Sequence, residues 1–308
     1  MNPIIPPSPP DAHLPEYLKY KKLAKITKQT LEKVFLELGS FFRYLEKRKL
    51  ASVKAVTPEL IRQYLSYNLR TSYWLTKRPR TVHTIFGKRN CLGNYFEFLV
   101  QMKHLEANPV KKIKAPILPK KLPRYLSLAQ AKKLLRFLNA PKHGGPNFDL
   151  RNRVYVGLVL FYGLKTHEIC RIKLKDINFN RKTITIRQTI HHDARKLPLL
   201  EPISLWLRAY LRVRPRRVSK ILLQQVKKKG VFSLYNARGV WFVYSAELGF
   251  EVNSTILRNT FLYYMFNNQV PFRVIQAIVG CHSIKSIQRK SVLANPKRLE
   301  AVQKLVVV

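Results

Sequence analysis

Residues 108–124 read NPVKKIKAPILPKKLPR, a run with four prolines, five lysines and no acidic side chain. Proline lacks the amide proton that a helix needs and pushes the residue before it toward extended backbone. The segment is therefore expected to be an extended linker, and it divides the 308-residue chain into two parts that must each build a core. The boundaries expected are a proline-rich tail at 1–14, a helical domain at 15–107, a basic linker at 108–123 and a second domain at 124–308.

Upstream of the linker, Leu31, Val34, Phe35, Leu38, Phe41, Phe42 and Leu45 recur every three or four residues, the stripe of an amphipathic helix over Thr27–Leu50. Pro58 after Thr57 marks a second start, and Ile85, Leu92, Tyr95, Phe96 and Phe98 carry a third helix over Thr81–Leu99. Downstream, Ser127 is a candidate cap for a helix to Leu138, and a further helix is expected over Asp149–Leu164. Thr183, Ile184, Thr185 and Ile186 alternate as a half-buried strand does, with Lys196–Leu199 as its return. Helices are expected again over Asn253–Met265, Pro271–Val279, Ser283–Val292 and Lys297–Val306. The fold class is mainly α with a small antiparallel sheet (α+β).

Lysine and arginine number 58 against 16 aspartates and glutamates, a net charge of +42 spread along the whole chain, so the expected partner is a polyanion. Lys77, Arg78 and Arg80, with Lys88 and Arg89 after them and Tyr73, Trp74 and Phe86 close by in sequence, are expected to form a phosphate-contacting face. Cys91, Cys170 and Cys281 lie far apart and at no zinc-ligand spacing, which suggests free thiols in a reducing compartment, with no metal and no cofactor. The most apolar stretch, Val154–Leu164, is about half the ~20 residues of a membrane span and reads as a core helix. No secretory signal precedes it, so a cytoplasmic location and no membrane partner are expected.

Three segments carry the chemistry. FYGLKTHEICRIKLKDINF resembles the first catalytic box of the tyrosine recombinases, the phage integrase family, with Gly163, Leu164, Glu168, Ile169, Ile172, Asp176 and Ile177 in register and Lys165 at the arginine position. STILRNTF resembles the second, His-x-Leu-Arg-His-Thr-Phe, through Leu257, Arg258, Thr260 and Phe261, with Thr255 and Asn259 at the two histidine positions. VPFRVIQAIVGCHSIKSIQ resembles the third through Val279, Gly280, Ser283 and Ile284, with Cys281 at the histidine position and His282 one place late. Ten residues past that glycine, where the resemblance implies the nucleophilic tyrosine, stands Lys290, and no tyrosine follows Tyr264.

The resemblance implies a helical core-binding (SAM-like) domain and a catalytic domain that together hold double-stranded DNA. In an active member it implies arginines and histidines around a scissile phosphate, a lysine on the sheet's hairpin that protonates the leaving oxygen, and a covalent phosphotyrosine. Planar guanidinium groups suit such a phosphate because they bind it through two parallel bonds, and charge developing in the transition state must meet preorganised donors. Lysine for arginine at position 165 loses the fork, and a protonated Lys290 is no nucleophile.

On this reading Lys165, Arg258, Arg195, Lys196 and His282 are the candidate phosphate contacts of the second domain, with Arg195 or Lys196 open as the hairpin lysine. Glu168 is expected to be structural, bonding backbone or an arginine, and His191 and His192 are expected to be solvated. The resemblance further implies that the apolar end, Leu305–Val308, docks on a second copy or on an active relative. The function expected is DNA binding in recombination or integration, on a mobile element, with cleavage absent or severely impaired because Lys290 replaces the tyrosine. The alternatives are an active recombinase using another nucleophile, for which Ser283, Ser286 and Ser291 are the nearby hydroxyls, or a basic RNA-binding protein.

Overall fold

The computed structural model describes residues 11–24, 26–50, 52–71, 79–118, 123–140, 145–189, 193–215, 219–226 and 230–288. The backbone divides into two compact units, 1–120 and 121–308.

Among the described residues of the first unit four α-helices surround an aromatic core. α1 (Leu14–Leu23) has no counterpart among the expected helices; it is held by Leu14 and Tyr17, both buried. α2 (Lys28–Glu46), α3 (Pro58–Arg70) and α4 (Val82–Gln101) follow as the periodicity requires. Each opens on a threonine, Thr27, Thr57 or Thr81, whose hydroxyl accepts the amide of the residue three further on and so satisfies one of the orphan donors of the first turn. The core stacks Tyr17, Phe41, Phe42, Tyr64, Tyr95, Phe96 and Phe98, most in edge or tilted contacts of about 5 to 6 Å between ring centres.

One expectation fails at the linker. Pro109–Lys112 is not extended but forms a 3-10 turn capped by the Asn108 side chain, and Val110 and Ile113 are buried in the first core. Asn108 also donates to Glu97 and to the Gly93 carbonyl. Proline at the first position of a turn costs no hydrogen bond, and this turn gains two apolar anchors.

The second unit is built around α6 (Pro146–Tyr162), whose residues Val154–Leu160 are all buried. α5 (Leu128–Asn139) precedes it with a complete capping box between Ser127 and Gln130. After α6 come the short α7 (Thr166–Ile169) and a three-stranded antiparallel sheet of β1 (Ile177–Asn178), β2 (Thr183–Ile186) and β3 (Arg195–Pro198) in the order β1-β2-β3. Ile184 pairs with Leu197 and Ile186 with Arg195, so the inward face is Ile184, Ile186 and Leu197.

Two helices that periodicity did not single out, α8 (Glu201–Val213) and α9 (Leu234–Leu248), cover this core, through Ile203, Trp206, Leu207 and Tyr210 and through Ala237, Val240, Trp241 and Tyr244. α10 (Ser254–Asn267), α11 (Phe272–Val279) and α12 (Ile284–Gln288) complete the unit around a small second cluster of Phe261, Leu262, Ile275, Val279 and Ile287. The expected helix at Lys297–Val306, the far end of that at Ser283–Val292 and the tail Leu305–Val308 lie outside the described residues.

The three cysteines are free thiols, and burial pushes those of Cys91 and Cys170 up to about 11. Among the described residues no helix is long and apolar enough to cross a membrane.

Candidate phosphate site

The three sequence boxes meet at one place in the second unit. α6 ends on Gly163, whose left-handed backbone (φ 61°) turns the chain so that Lys165 opens α7. A side chain at Gly163 would lie 2.7 Å from the Phe261 ring of α10, so this glycine also permits the first and second boxes to touch. From α10 the Arg258 guanidinium donates to the Gly163 carbonyl. Asn259 and Thr260 beside it are buried. Asn259 donates to the Arg124 carbonyl, and the Thr260 hydroxyl accepts the Leu126 amide, which secures the segment that enters the unit.

Glu168 is the hub. One carboxylate oxygen accepts the Lys165 amide at 2.8 Å, and the other pairs with Arg195 of β3 at 2.8 Å. Arg195 also donates to the Ile278 carbonyl at 2.6 Å, and its guanidinium crosses directly over Gly280, where a Cβ would overlap it. Gly280 ends α11 in the left-handed conformation (φ 67°). Glycine is therefore required there twice, for its backbone and for its missing side chain. The structural role expected of Glu168 is the one it has.

Around this buried pair stand Lys165, His167, Arg258 and Cys281. Desolvation lowers the pKa of Lys165, and the neighbouring Arg258 lowers it further. Arg258, hemmed in by surrounding atoms although part of it reaches the surface, is lowered chiefly by desolvation as well. His167, which the sequence comparison passed over because it matches no box residue, is shifted the same way by burial, with Lys165, Arg171 and Arg258 among the cations that act on it. Three basic groups are thus gathered beside a carboxylate already engaged by Arg195. Such a grouping is unfavourable by itself and is relieved by an anion.

The other candidates are placed less centrally. Thr255 is exposed on α10 one turn before Arg258. His282 is exposed, its Nε2 3.3 Å from an Asp193 carboxylate oxygen, so it faces the hairpin. Arg195 is a strut as well as a candidate contact: its side chain is 8% exposed and bonds Glu168 and the Ile278 carbonyl, because the inward register of β3 buries it, while its Nη2 has no protein partner among the described residues. Lys196, on the opposite face of the strand, is exposed. Lys290, His191 and His192 lie outside the described residues.

In the first unit the expected basic face is corrected. Lys88 is buried and pairs with Glu37, because position 88 falls on the inward side of α4. Arg89 donates to the carbonyls of Val110 and Ile113 and so clasps the 3-10 turn. Arg80 binds the Asn68 carbonyl and the Thr71 hydroxyl at the end of α3. Lys77 and Arg78 lie outside the described residues. An exposed basic surface is found instead at the end of α2 and in the turn after it, where Arg43, Tyr44, Lys47 and Arg48 line an open groove of about 430 Å³ with Tyr64 and Tyr67. Arg48 sits 4.5 Å above the Tyr44 ring. Its signal in the sequence was the cluster of cations Arg43, Lys47 and Arg48 where the apolar stripe of Leu38, Phe41, Phe42 and Leu45 runs out at the end of α2.

Residues 124–290, more than half of the chain, match the model of the phage integrase family. The chain belongs to the phage integrase family. Within it, the chain is similar to the tyrosine recombinase XerC of Halalkalibacterium halodurans, 25% identical over 289 residues that span 90% of this chain and 91% of the relative. It is also similar to the tyrosine recombinase XerA of Pyrococcus furiosus, 27% identical over 197 residues, 63% of this chain and 66% of the relative. Two solved structures share the phage integrase fold. The XerH site-specific recombinase bound to palindromic difH substrate in a post-cleavage complex has TM-score 0.69 and 18% identity, covering 94% of this chain and 83% of that one. The Tn1549 transposon integrase in complex with circular intermediate DNA has TM-score 0.68 and 17% identity, covering 93% and 98%.

Proposed function

We propose that this phage integrase family member binds duplex DNA on a recombinase scaffold and does not cleave it. The observation that carries the reading is the gathering of Lys165, His167 and Arg258 beside the buried Glu168–Arg195 pair. These groups suit a DNA phosphate: one guanidinium, one ammonium and an imidazole, desolvated enough to interact strongly with an anion.

Position 290, where the family resemblance implies tyrosine, is lysine, and the sequence has no tyrosine after Tyr264. The phenols on the neighbouring α6 are engaged, Tyr155 with Thr166 and Tyr162 with the Pro198 carbonyl and the Leu200 amide, and burial raises the pKa of both. In the first unit the groove of Arg43, Tyr44, Lys47 and Arg48 offers cations and flat rings for the backbone and sugars. Assembly through Leu305–Val308 belongs to the same reading, and truncating the chain before Leu305 should leave a smaller species by light scattering.

The test uses a duplex nicked near a candidate cleavage point, so that any covalent adduct is trapped. Retardation of duplex DNA that weakens steeply with salt, with no adduct surviving denaturation, is expected. An adduct abolished by substituting a single residue would refute the loss of cleavage. Failure to retard duplex DNA at low salt, or preference for single-stranded RNA, would refute the binding itself.

A further inference from the structure

One cluster in the first unit plays no part in the DNA reading. His13 precedes the first residue of α1, Glu16 lies in its first turn, and His104 sits in the turn that follows α4. The two imidazoles stack, ring centres 3.9 Å apart and planes at 27°. A Glu16 carboxylate oxygen lies 3.4 Å from His104 Nε2 and 4.0 Å from His13 Nδ1, and one ligand atom from each of the three residues falls within 4.8 Å of the others.

The use of a carboxylate here is uncommon for this chain. Acidic residues are scarce, and Glu37, Glu59, Glu97, Glu168, Asp176 and Glu251 each face a lysine or arginine. Among the described ion pairs Glu16 alone is set between two imidazoles.

We propose that His13, Glu16 and His104 form a binding site for a Zn²⁺-class transition-metal dication, held by two imidazole nitrogens and one carboxylate oxygen, that ties the start of α1 to the turn after α4. Zinc–ligand bonds of about 2.1 Å at tetrahedral angles set neighbouring ligand atoms about 3.4 Å apart. The Glu16–His104 separation already has that value, whereas His13 Nδ1 is 4.0 Å from the same oxygen and its ring, now stacked on His104, has to swing out of the stack to aim its lone pair at the same point.

The third ligand is on a firm support. Lys103 holds a left-handed turn (φ 60°), and the His104 amide donates to the Leu99 carbonyl at 2.8 Å. The ligand set selects the metal class, since imidazole suits Zn²⁺, Co²⁺ and Ni²⁺, whereas Mg²⁺ and Ca²⁺ require oxygen ligands. Lys54 and Lys103 line the adjoining depression, so an ion held by charge alone gains nothing there. His13 and His104 are 91 positions apart in the sequence, which is why no ligand spacing announces the site.

The experiment is a Zn²⁺ titration of the metal-stripped full chain by calorimetry, with a thermal melt at each end point. Wild type is expected to take up one equivalent more than His104→Asn or His13→Asn and to gain about 5 °C in Tm that both variants lose. His83→Asn, at an exposed histidine elsewhere, should behave as wild type. Co²⁺ should give tetrahedral visible bands in wild type that are absent from His104→Asn. Circular dichroism of the metal-free variants checks that they are folded. Equal stoichiometry and equal Tm response in wild type and His104→Asn, or no uptake by wild type, would overturn the proposal.

Discussion

Glu168 and Arg195, 27 residues apart in sequence, form an ion pair of 2.8 Å whose two side chains are 0% and 8% exposed, and this pair joins α7 to β3 beside Lys165 and Arg258. A buried pair that also bonds backbone, as this one does at Lys165 and Ile278, is costly to break from one side because the remaining charge is left without a partner.

Glu168→Gln is therefore expected to destabilise the second unit by about 3 kcal/mol or more in urea unfolding. Replacing both partners, Glu168→Leu with Arg195→Met, should recover most of that loss. A double variant as unstable as the single one would mean that the pair is not the source of the cost.

Gly280→Ala should destabilise by about 1 to 3 kcal/mol, because the added methyl meets the Arg195 guanidinium and the backbone is left-handed. The same change at Gly87, where a Cβ meets nothing within 4 Å and the residue lies inside α4, should be neutral or stabilising by up to about 1 kcal/mol.

Arg258→Ala should weaken duplex binding by about tenfold and lower the slope of log affinity against log salt by about 1, the signature of one lost phosphate contact. Lys88→Ala should lower stability instead, since Lys88 is buried with Glu37. Band-shift titrations at several salt concentrations, with melts alongside, separate the two effects.

Stability should fall as pH rises from about 9 toward 11. The Cys91 and Cys170 thiols ionise at their ordinary value of 9.0 in the unfolded chain but near 11 when folded, so the unfolded state loses protons first. The contribution is complete below the lower value and is lost as pH climbs through the upper one, at no more than about 1.4 kcal/mol per pH unit for each thiol. The double variant Cys91→Ala, Cys170→Ala should flatten the profile of Tm between pH 8 and 10.

Restoring Lys290→Tyr alone should not produce a DNA adduct on a nicked duplex, because the phosphate would still face Lys165, Thr255 and Cys281 where the family resemblance implies arginine and two histidines. Adducts with that single change would mean that those positions are dispensable for cleavage.

The sequence by itself determined the family, the helices that carry an apolar stripe, the strand at Thr183–Ile186 and the structural role of Glu168, because each rests on neighbours within a few positions or on a local motif, while the hairpin register was left open. Local signals also exist for α8 and α9, in the apolar spacing of Ile203, Trp206, Leu207 and Tyr210 and of Ala237, Val240, Trp241 and Tyr244, but they become readable only against the core that these residues cover. Tertiary structure alone decided which cations are available. Lys88, Arg89, Arg80 and Arg195 read in one dimension as a basic surface, yet each meets a carboxylate, carbonyl or hydroxyl supplied by another segment and is withdrawn from solvent. Arg43, Lys47 and Arg48 look no different in sequence and stay exposed. Burial and pairing depend on residues distant along the chain, so charge is legible in a sequence while the availability of that charge is not.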